Sequence, residues 1–298
     1  MSFLWMLEGI RTPFLDQLMQ LITYFGQELP IIAAICLIYW CLDKRLAYVL
    51  GFSFFTSGLL VQSLKITFRI PRPWILDPDF HAVESAVPAA TGYSFPSGHT
   101  QGATSLFLPL ALKTRRIWMK ALCVLSFILV GFSRMYLGCH TPKDVLTSLA
   151  ISIACSLLIW HFQDFIMENP DHQKKIVITM AFLSLACAAY AMILLKNGII
   201  ATNYAADCCK AAGAGIGFSV GWYLERTRFH FSTETAHLWH QFVKVIIGLV
   251  GALLLKEGIS FILGTSILAK LMEYFILVLW VLVIYPFLFS RVLKKPAK

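Results

Sequence analysis

Apolar residues run through this chain in long blocks separated by short polar stretches, with no alternation of the kind a half-buried strand requires. A helix needs about 20 mostly apolar residues to cross the hydrocarbon of a bilayer. Blocks near that length lie at 29–42, 46–66, 97–112, 117–137, 142–162, 175–196, 204–224, 242–262 and 268–290, the first being short for a span. The pattern predicts an all-α fold, a polytopic membrane helical bundle of about nine transmembrane helices. Ahead of them, "FLDQLMQLITYF" (14–25) has helical apolar spacing. It is expected to lie along the outer interface as an amphipathic helix. The alternative is one more span, which would reverse the side of the N-terminus.

Composition agrees with a lipid solvent. Of 298 residues 58% are hydrophobic and 14% charged, with a mean hydropathy of +0.72. A soluble domain could not cover that much apolar surface. The net charge of +9 would suit a nucleic-acid partner, but its distribution argues against one. Lys44 and Arg45, then Lys113, Arg115, Arg116 and Lys120, then Lys174 and Lys175 fall in alternate loops. Arg226, Arg228 and Lys244, then Arg291, Lys294, Lys295 and Lys298, continue the series. Alternate basic loops mark the cytoplasmic side, so the N-terminus is expected outside and the C-terminus in the cytoplasm. Glu8, Arg11 and Asp16 interrupt the first apolar residues, so no signal peptide is expected. The eight cysteines are scattered, without metal-ligand spacing, and read as small apolar residues.

The polar stretch "QDFIMENPDHQK" (163–174) divides the chain. Three parts are expected: an interfacial segment at 1–28, a catalytic core at 29–165, and a transmembrane extension at 166–298. In the last part Gly213, Gly217 and Gly221 share a helix face suited to close helix approach. Lys210 can pair with Asp207 three residues earlier.

Three polar stretches interrupt the first half, and the topology brings all of them out on the outer side. "KITFRIPRP" supplies Lys65 and Arg72, either snorkelling anchors or an anion clamp that combines a point charge with a planar fork. "SFPSGHTQG" leads through Pro96 and Ser97 into a helix whose first turn holds Gly98 and His99. A helix N-terminus presents free N–H groups and a positive dipole end to an anion, although an ordinary serine cap has the same local sequence. "RMYLGCHTPKD" carries Arg134, His140 and Asp144. Thr141 to Asp144 read as a capping-box variant. The four-residue spacing also lets the Asp144 carboxylate reach the His140 imidazole and fix its tautomer, leaving the other nitrogen as a nucleophile.

Lys65-x6-Arg72-Pro73, Pro96-Ser97-Gly98-His99 and Ser133-Arg134-x5-His140-x3-Asp144 resemble the three signatures of the type 2 phosphatidic acid phosphatase and vanadium haloperoxidase superfamily, over roughly residues 45–165. The resemblance implies that His140 attacks phosphorus, oriented by Asp144, and that His99 protonates the leaving oxygen and then helps activate water. It implies that Lys65, Arg72, Arg134, Ser97 and the Gly98 backbone hold the phosphate, with no metal or other cofactor. The expected substrate is a lipid phosphate or polyprenyl diphosphate, met among membrane lipids at the extracytoplasmic face of a plasma (inner) membrane. The extra helices and "RPWILDPD" (72–79) also resemble glucose-6-phosphatase. Asp77, Asp79, His81, Glu84 and Tyr93 could form a sugar pocket. An anion transporter is the alternative from another class.

Overall fold

The structure is a computed structural model that describes residues 1–234 and 238–292. Lys294, Lys295 and Lys298 of the basic tail lie outside the described residues. No strand occurs among the described residues, so the all-α expectation holds. Each of the nine apolar blocks is helical: α3 (Glu28–Leu37, continued by a π turn Ile38–Leu42), α4 (Lys44–Phe68), α6 (Gly98–Lys113), α7 (Ile117–Tyr136), α8 (Pro142–His161), α10 (Pro170–Lys196), α11 (Thr202–Leu224), α12 (Leu238–Leu263) and α13 (Ile267–Leu279). Before and between them lie α1 (Ser2–Gly9), α2 (Pro13–Tyr24), a single turn α5 (Pro73–Leu76) and α9 (Gln163–Glu168). After α13 a π turn, Trp280–Ile284, leads into α14 (Tyr285–Val292).

Length and apolarity alone admit six of these helices as membrane spans, or seven if the bent pair Pro13–Tyr24 and Glu28–Leu42 counts as one. The expected nine therefore exceed what this criterion supports. Helix α6 has only 16 residues, about 24 Å at 1.5 Å per residue. Helix α11 is long enough, but it is built from Gly, Ala, Cys and Ser around Asp207 and Lys210. Both helices are lined with buried residues. A helix enclosed by others does not need the apolar surface that one facing lipid does.

Two compact units make up the chain: residues 1–32 with 60–160, and 33–59 with 161–298. In the second unit α11 packs along α13 and α10. The glycine stripe faces α13. A Cβ at Gly217 would stand 2.7 Å from the Phe275 carbonyl oxygen and one at Gly221 2.9 Å from Leu282 Cδ1, and one at Gly213 would overlap the Leu271 carbonyl. Bare backbone is what allows the two helices to come this close. Lys210 Nζ lies 2.8 Å from Asp207 Oδ1, the expected local pair. The buried Glu225 carboxylate is matched by Lys44 at 2.6 Å and by the Tyr48 hydroxyl.

In the first unit α6 lies against α7, and α7 also carries α2 and α1. Helix α2 starts at a Thr12 cap whose hydroxyl accepts from the Leu15 N–H, with Pro13 at the first helical position. Leu15, Met19 and Ile22 recur at helical spacing and pack into the clusters around α7. At one end Tyr136 donates its hydroxyl to Asp16 at 3.1 Å. At the other, Gly26 meets Val130. The two helices are therefore antiparallel. Leu4 and Leu7 of α1 are buried with Phe80, Ala86, Ala90, Tyr136, Leu137 and Cys139, which ties the N-terminus to the loop before α6.

Candidate active site

All eight residues singled out by the motifs belong to the first unit. Lys65 is in the last turn of α4, and Arg72 precedes α5. Ser97 caps α6, with Gly98 and His99 as its first two residues, as the motif reading expects. Arg134 is in the last turn of α7. Its carbonyl accepts from the N–H groups of Cys139 and His140 at 3.0 and 3.2 Å, which folds the chain back and sets His140 just ahead of α8. Asp144 sits in the first turn of α8, where its Oδ2 accepts the Thr141 N–H at 2.8 Å. This is half of the expected capping box.

The charged groups are withdrawn from solvent. Lys65 and Arg72 are 8% and 5% exposed, Arg134 is fully buried, and His140 and Asp144 are each 1% exposed. Backbone carbonyls hold two of the cations. Lys65 Nζ donates to Tyr93 O at 2.6 Å. Arg72 donates to Thr91 O at 2.6 Å, Gly92 O at 3.1 Å and Cys139 O at 3.0 Å. Arg134 is held differently. Its Nη1 donates to the Thr23 hydroxyl at 3.2 Å, while Nε and Nη2 have no partner among the described residues. His99 Nε2 is likewise buried without one. Buried donors are almost always matched, and the oxygens of an anion would match those of Arg134. Around Gly98 there is open space where a Cβ would stand.

His140 Nε2 is 2.9 Å from Arg72 Nη1. A guanidinium can only donate, so Nε2 must carry a lone pair and the ring proton must sit on Nδ1. That nitrogen faces Asp144, with Oδ2 at 3.5 Å, an electrostatic contact longer than a hydrogen bond. Burial above all, then Arg72, Arg134 and Lys65, push the His140 imidazole well below its ordinary range, against an opposing pull from the Ser94 backbone. That shift favours the neutral ring, and its unprotonated nitrogen faces the Arg72 guanidinium. Arg134, His140, Arg72 and Lys65 all lie near enough to His99 to act on it electrostatically.

Several partners carry no motif. The Ser94 hydroxyl donates to Asp144 Oδ2 at 2.6 Å, and Ser148 donates to Ser97 O at 2.6 Å. Ser94 opens the stretch that contains the second motif, so its place was visible although its partner was not. Thr23 lies in an amphipathic helix 111 residues before the arginine it touches, and no local signal marks it.

Family models extend the match beyond this site. The model of the PAP2 superfamily matches residues 46–168, and that of the PAP2 superfamily phosphatase transmembrane extension matches 209–297. The chain belongs to the PAP2 superfamily. It is an integral membrane protein, since the second matched part is a transmembrane extension and several helices are long and apolar enough to cross a bilayer.

Among curated PAP2 relatives, Undecaprenyl-diphosphatase BcrC of Bacillus subtilis is 34% identical over 116 residues, which cover 39% of this chain and 57% of that protein. A dihydrosphingosine 1-phosphate phosphatase of Saccharomyces cerevisiae is 23% identical over 285 residues, covering 89% of this chain and 67% of the relative. Glucose-6-phosphatase catalytic subunit 1 of Bos taurus is 28% identical over 149 residues, covering 42% of this chain and 41% of the relative. The matches to the bacterial and bovine proteins each span little more than half of the relative's length or less.

Proposed function

We propose that this chain is a membrane phosphatase that hydrolyses the phosphate monoester or diphosphate of a lipid through a phosphohistidine. The observation that carries the reading is Arg134, a wholly buried guanidinium with two nitrogens unmatched among the described residues, in the same cluster as a His140 whose Nε2 lone pair is fixed by Arg72. A phosphoryl group supplies the oxygens those donors lack. His140 Nε2 attacks phosphorus, forming an N–P bond as the P–O bond to the leaving group breaks, an ester bond in a monoester and the anhydride bond in a diphosphate. The bound phosphate's negative charge offsets the cations around His99, so that its imidazole takes up a proton on binding and gives it to the leaving oxygen. Water then attacks the phosphohistidine while His99 takes one of its protons, the N–P bond breaks, and inorganic phosphate leaves. Arg72, which now donates to Nε2, moves that N–H to a phosphoryl oxygen as the nitrogen is used. Lys65, Arg72, Arg134, the Ser97 cap and the Gly98 backbone stabilise charge on the transferring group, work done by fixed donors in a water-poor site. In the chain as a whole, 29–165 would form the catalytic core, 166–298 the transmembrane extension, and 1–28 the amphipathic interfacial segment.

Supporting a lipid over a sugar phosphate is the loop between α5 and α6. Its polar residues engage the N-terminus: Asp77 accepts from Trp5 Nε1 at 3.0 Å, and the His81 carbonyl accepts from Arg11. Of the five groups that could line a sugar pocket, the Asp77 carboxylate is thereby engaged, and the backbone beside a second is pinned. Phosphate release from the purified protein tests the assignment. Turnover should survive EDTA, because the roles above need no metal, and vanadate should inhibit by filling the same cluster of donors. Activity lost to the chelator and restored by a divalent ion would assign a different chemistry.

The alternating basic loops support an active site at the extracytoplasmic face of a plasma (inner) membrane. With the native cysteines replaced, Ser85→Cys in the exposed loop before α6 should react with an impermeant thiol reagent added outside, and Thr114→Cys between α6 and α7 should not. The reverse labelling would put hydrolysis in the cytoplasm.

A further inference from the structure

Helix α2 is not covered by any of the three motifs, yet its C-terminal end reaches the candidate active site. Thr23 is fully buried. Its hydroxyl is the acceptor for Arg134 Nη1 at 3.2 Å, and among the described residues Arg134 Nε and Nη2 have no side-chain or backbone acceptor. One residue on, α2 ends at Tyr24, and α3 begins only at Glu28. In that break sits Gly26, where a Cβ would stand 2.8 Å from the His99 carbonyl oxygen and 3.1 Å from His99 Cβ. The same short stretch thus touches one candidate cation and one candidate acid. It is held there from the far end, where Thr12 N–H and Asp16 both bond the Tyr136 hydroxyl, at 3.4 and 3.1 Å, and Arg11 Nε donates to Tyr136 O at 3.1 Å.

We infer that Thr23 is a positioning residue for phosphate binding, and that the segment around it, Thr23 to Gly26, forms one wall of the site. An arginine side chain has four rotatable bonds, and its aim in a buried cavity depends on what fixes one end of the guanidinium. The Thr23 hydroxyl fixes the Nη1 corner. The other two nitrogens are then turned as a fork toward the oxygens of a phosphoryl group, the planar recognition for which arginine is suited. Thr23 itself touches no substrate. Its work is done through Arg134, and so it should appear in binding of the phosphate group and not as a loss of the nucleophile. The absent side chain at Gly26 lets the wall close onto the first turn of α6.

This inference rests on the proposed phosphatase activity, and the test separates the two. Kinetics are measured for wild type, Thr23→Val, Thr23→Ala and Thr23→Ser, with inhibition by inorganic phosphate as a second reading. Valine keeps the shape of threonine and removes the acceptor. KM and the phosphate inhibition constant should rise together by about five- to tenfold, as expected for loss of one hydrogen bond to a charged group, with kcat changed less. Thr23→Ala should do the same if valine impairs folding. Thr23→Ser should return both constants to within about twofold of wild type, which a purely structural defect would not do. In an Arg134→Lys background, Thr23→Val should add little, because the guanidinium it aims is gone. Unchanged KM and phosphate inhibition in folded Thr23→Val would overturn the inference alone. So would a defect that serine fails to rescue. Wild-type protein that releases no phosphate from any ester and binds neither phosphate nor vanadate would remove both readings.

Discussion

Replacing His140 by alanine should lower turnover by at least about 10,000-fold, ~5.5 kcal/mol of barrier, because the phosphoryl acceptor itself is deleted. His140 Nε2, whose lone pair faces Arg72 Nη1 at 2.9 Å with Arg134 and Lys65 also acting on the ring, is the proposed nucleophile. Asp144→Asn should be much milder, about 100-fold. Asp144 Oδ2 accepts both the Thr141 N–H and the Ser94 hydroxyl, and an amide oxygen can accept the same two bonds. The turn and the cap should therefore survive. What disappears is the negative charge 3.5 Å from Nδ1, which holds the proton on that nitrogen and stabilises the ring as it becomes positive on phosphorylation. The check is turnover of both variants against wild type, with helix content and thermal midpoint confirming fold. Near-normal turnover in folded His140→Ala would sink the covalent mechanism. Equal losses in the two variants would mean that Asp144 does more than orient.

The helices were legible because lipid is a demanding solvent: a spanning segment must satisfy its own backbone hydrogen bonds and be apolar where it meets hydrocarbon. Helices α6 and α11 were still found from sequence, because their blocks remain mostly apolar or small although they fall short in length or hydropathy. Less legible was the partition of the chain. Residues 33–59 join 161–298 in one compact unit, so that α4 is shared between the two units. No change of composition at position 59 or 60 announces this, since the division follows from tertiary packing. The capping roles of Ser97 and Asp144 were readable because they are local, decided within three residues.

The long-range partners were not readable, and for a physical reason. Lys65 and Arg72 are steadied by the carbonyls of Thr91, Gly92 and Tyr93, and a carbonyl has no side-chain signature. Thr23 looks like any polar residue on an amphipathic helix until α2 is laid antiparallel on α7. The reading of 14–25 as helical was sound. What that helix does is settled by Leu15, Met19 and Ile22 packing toward α7, and periodicity cannot name the partner that an apolar stripe will meet. The site is therefore a motif constellation inside a frame of unmarked backbone and hydroxyl groups.

The largest expected effect on specificity is the preference for a lipid tail. Arg134 and His140 come at the end of α7 and just before α8, and His99 is in the first turn of α6, so the phosphorus would be handled where these helices emerge from the bilayer. A lipid can reach that level laterally, its tail staying in hydrocarbon while the phosphate enters the donors of Arg134, Arg72 and Lys65. Each methylene moved from water into an apolar setting contributes about 0.8 kcal/mol, roughly a fourfold gain in binding. With monomeric alkyl phosphates, kept below their own micelle thresholds, kcat/KM should therefore climb by up to about fourfold per methylene until the tail is fully covered. A glucose 6-phosphate head has no such contribution to collect. It would need polar partners, and Asp77 and the His81 backbone are already bonded to Trp5 and Arg11. A long-chain lipid phosphate or polyprenyl diphosphate should exceed glucose 6-phosphate by more than about 100-fold in kcat/KM, a margin that only four methylenes would supply. A flat response to tail length, together with a preference for the sugar phosphate, would return the chain to the sugar reading. In that event those loop contacts must open to admit the substrate.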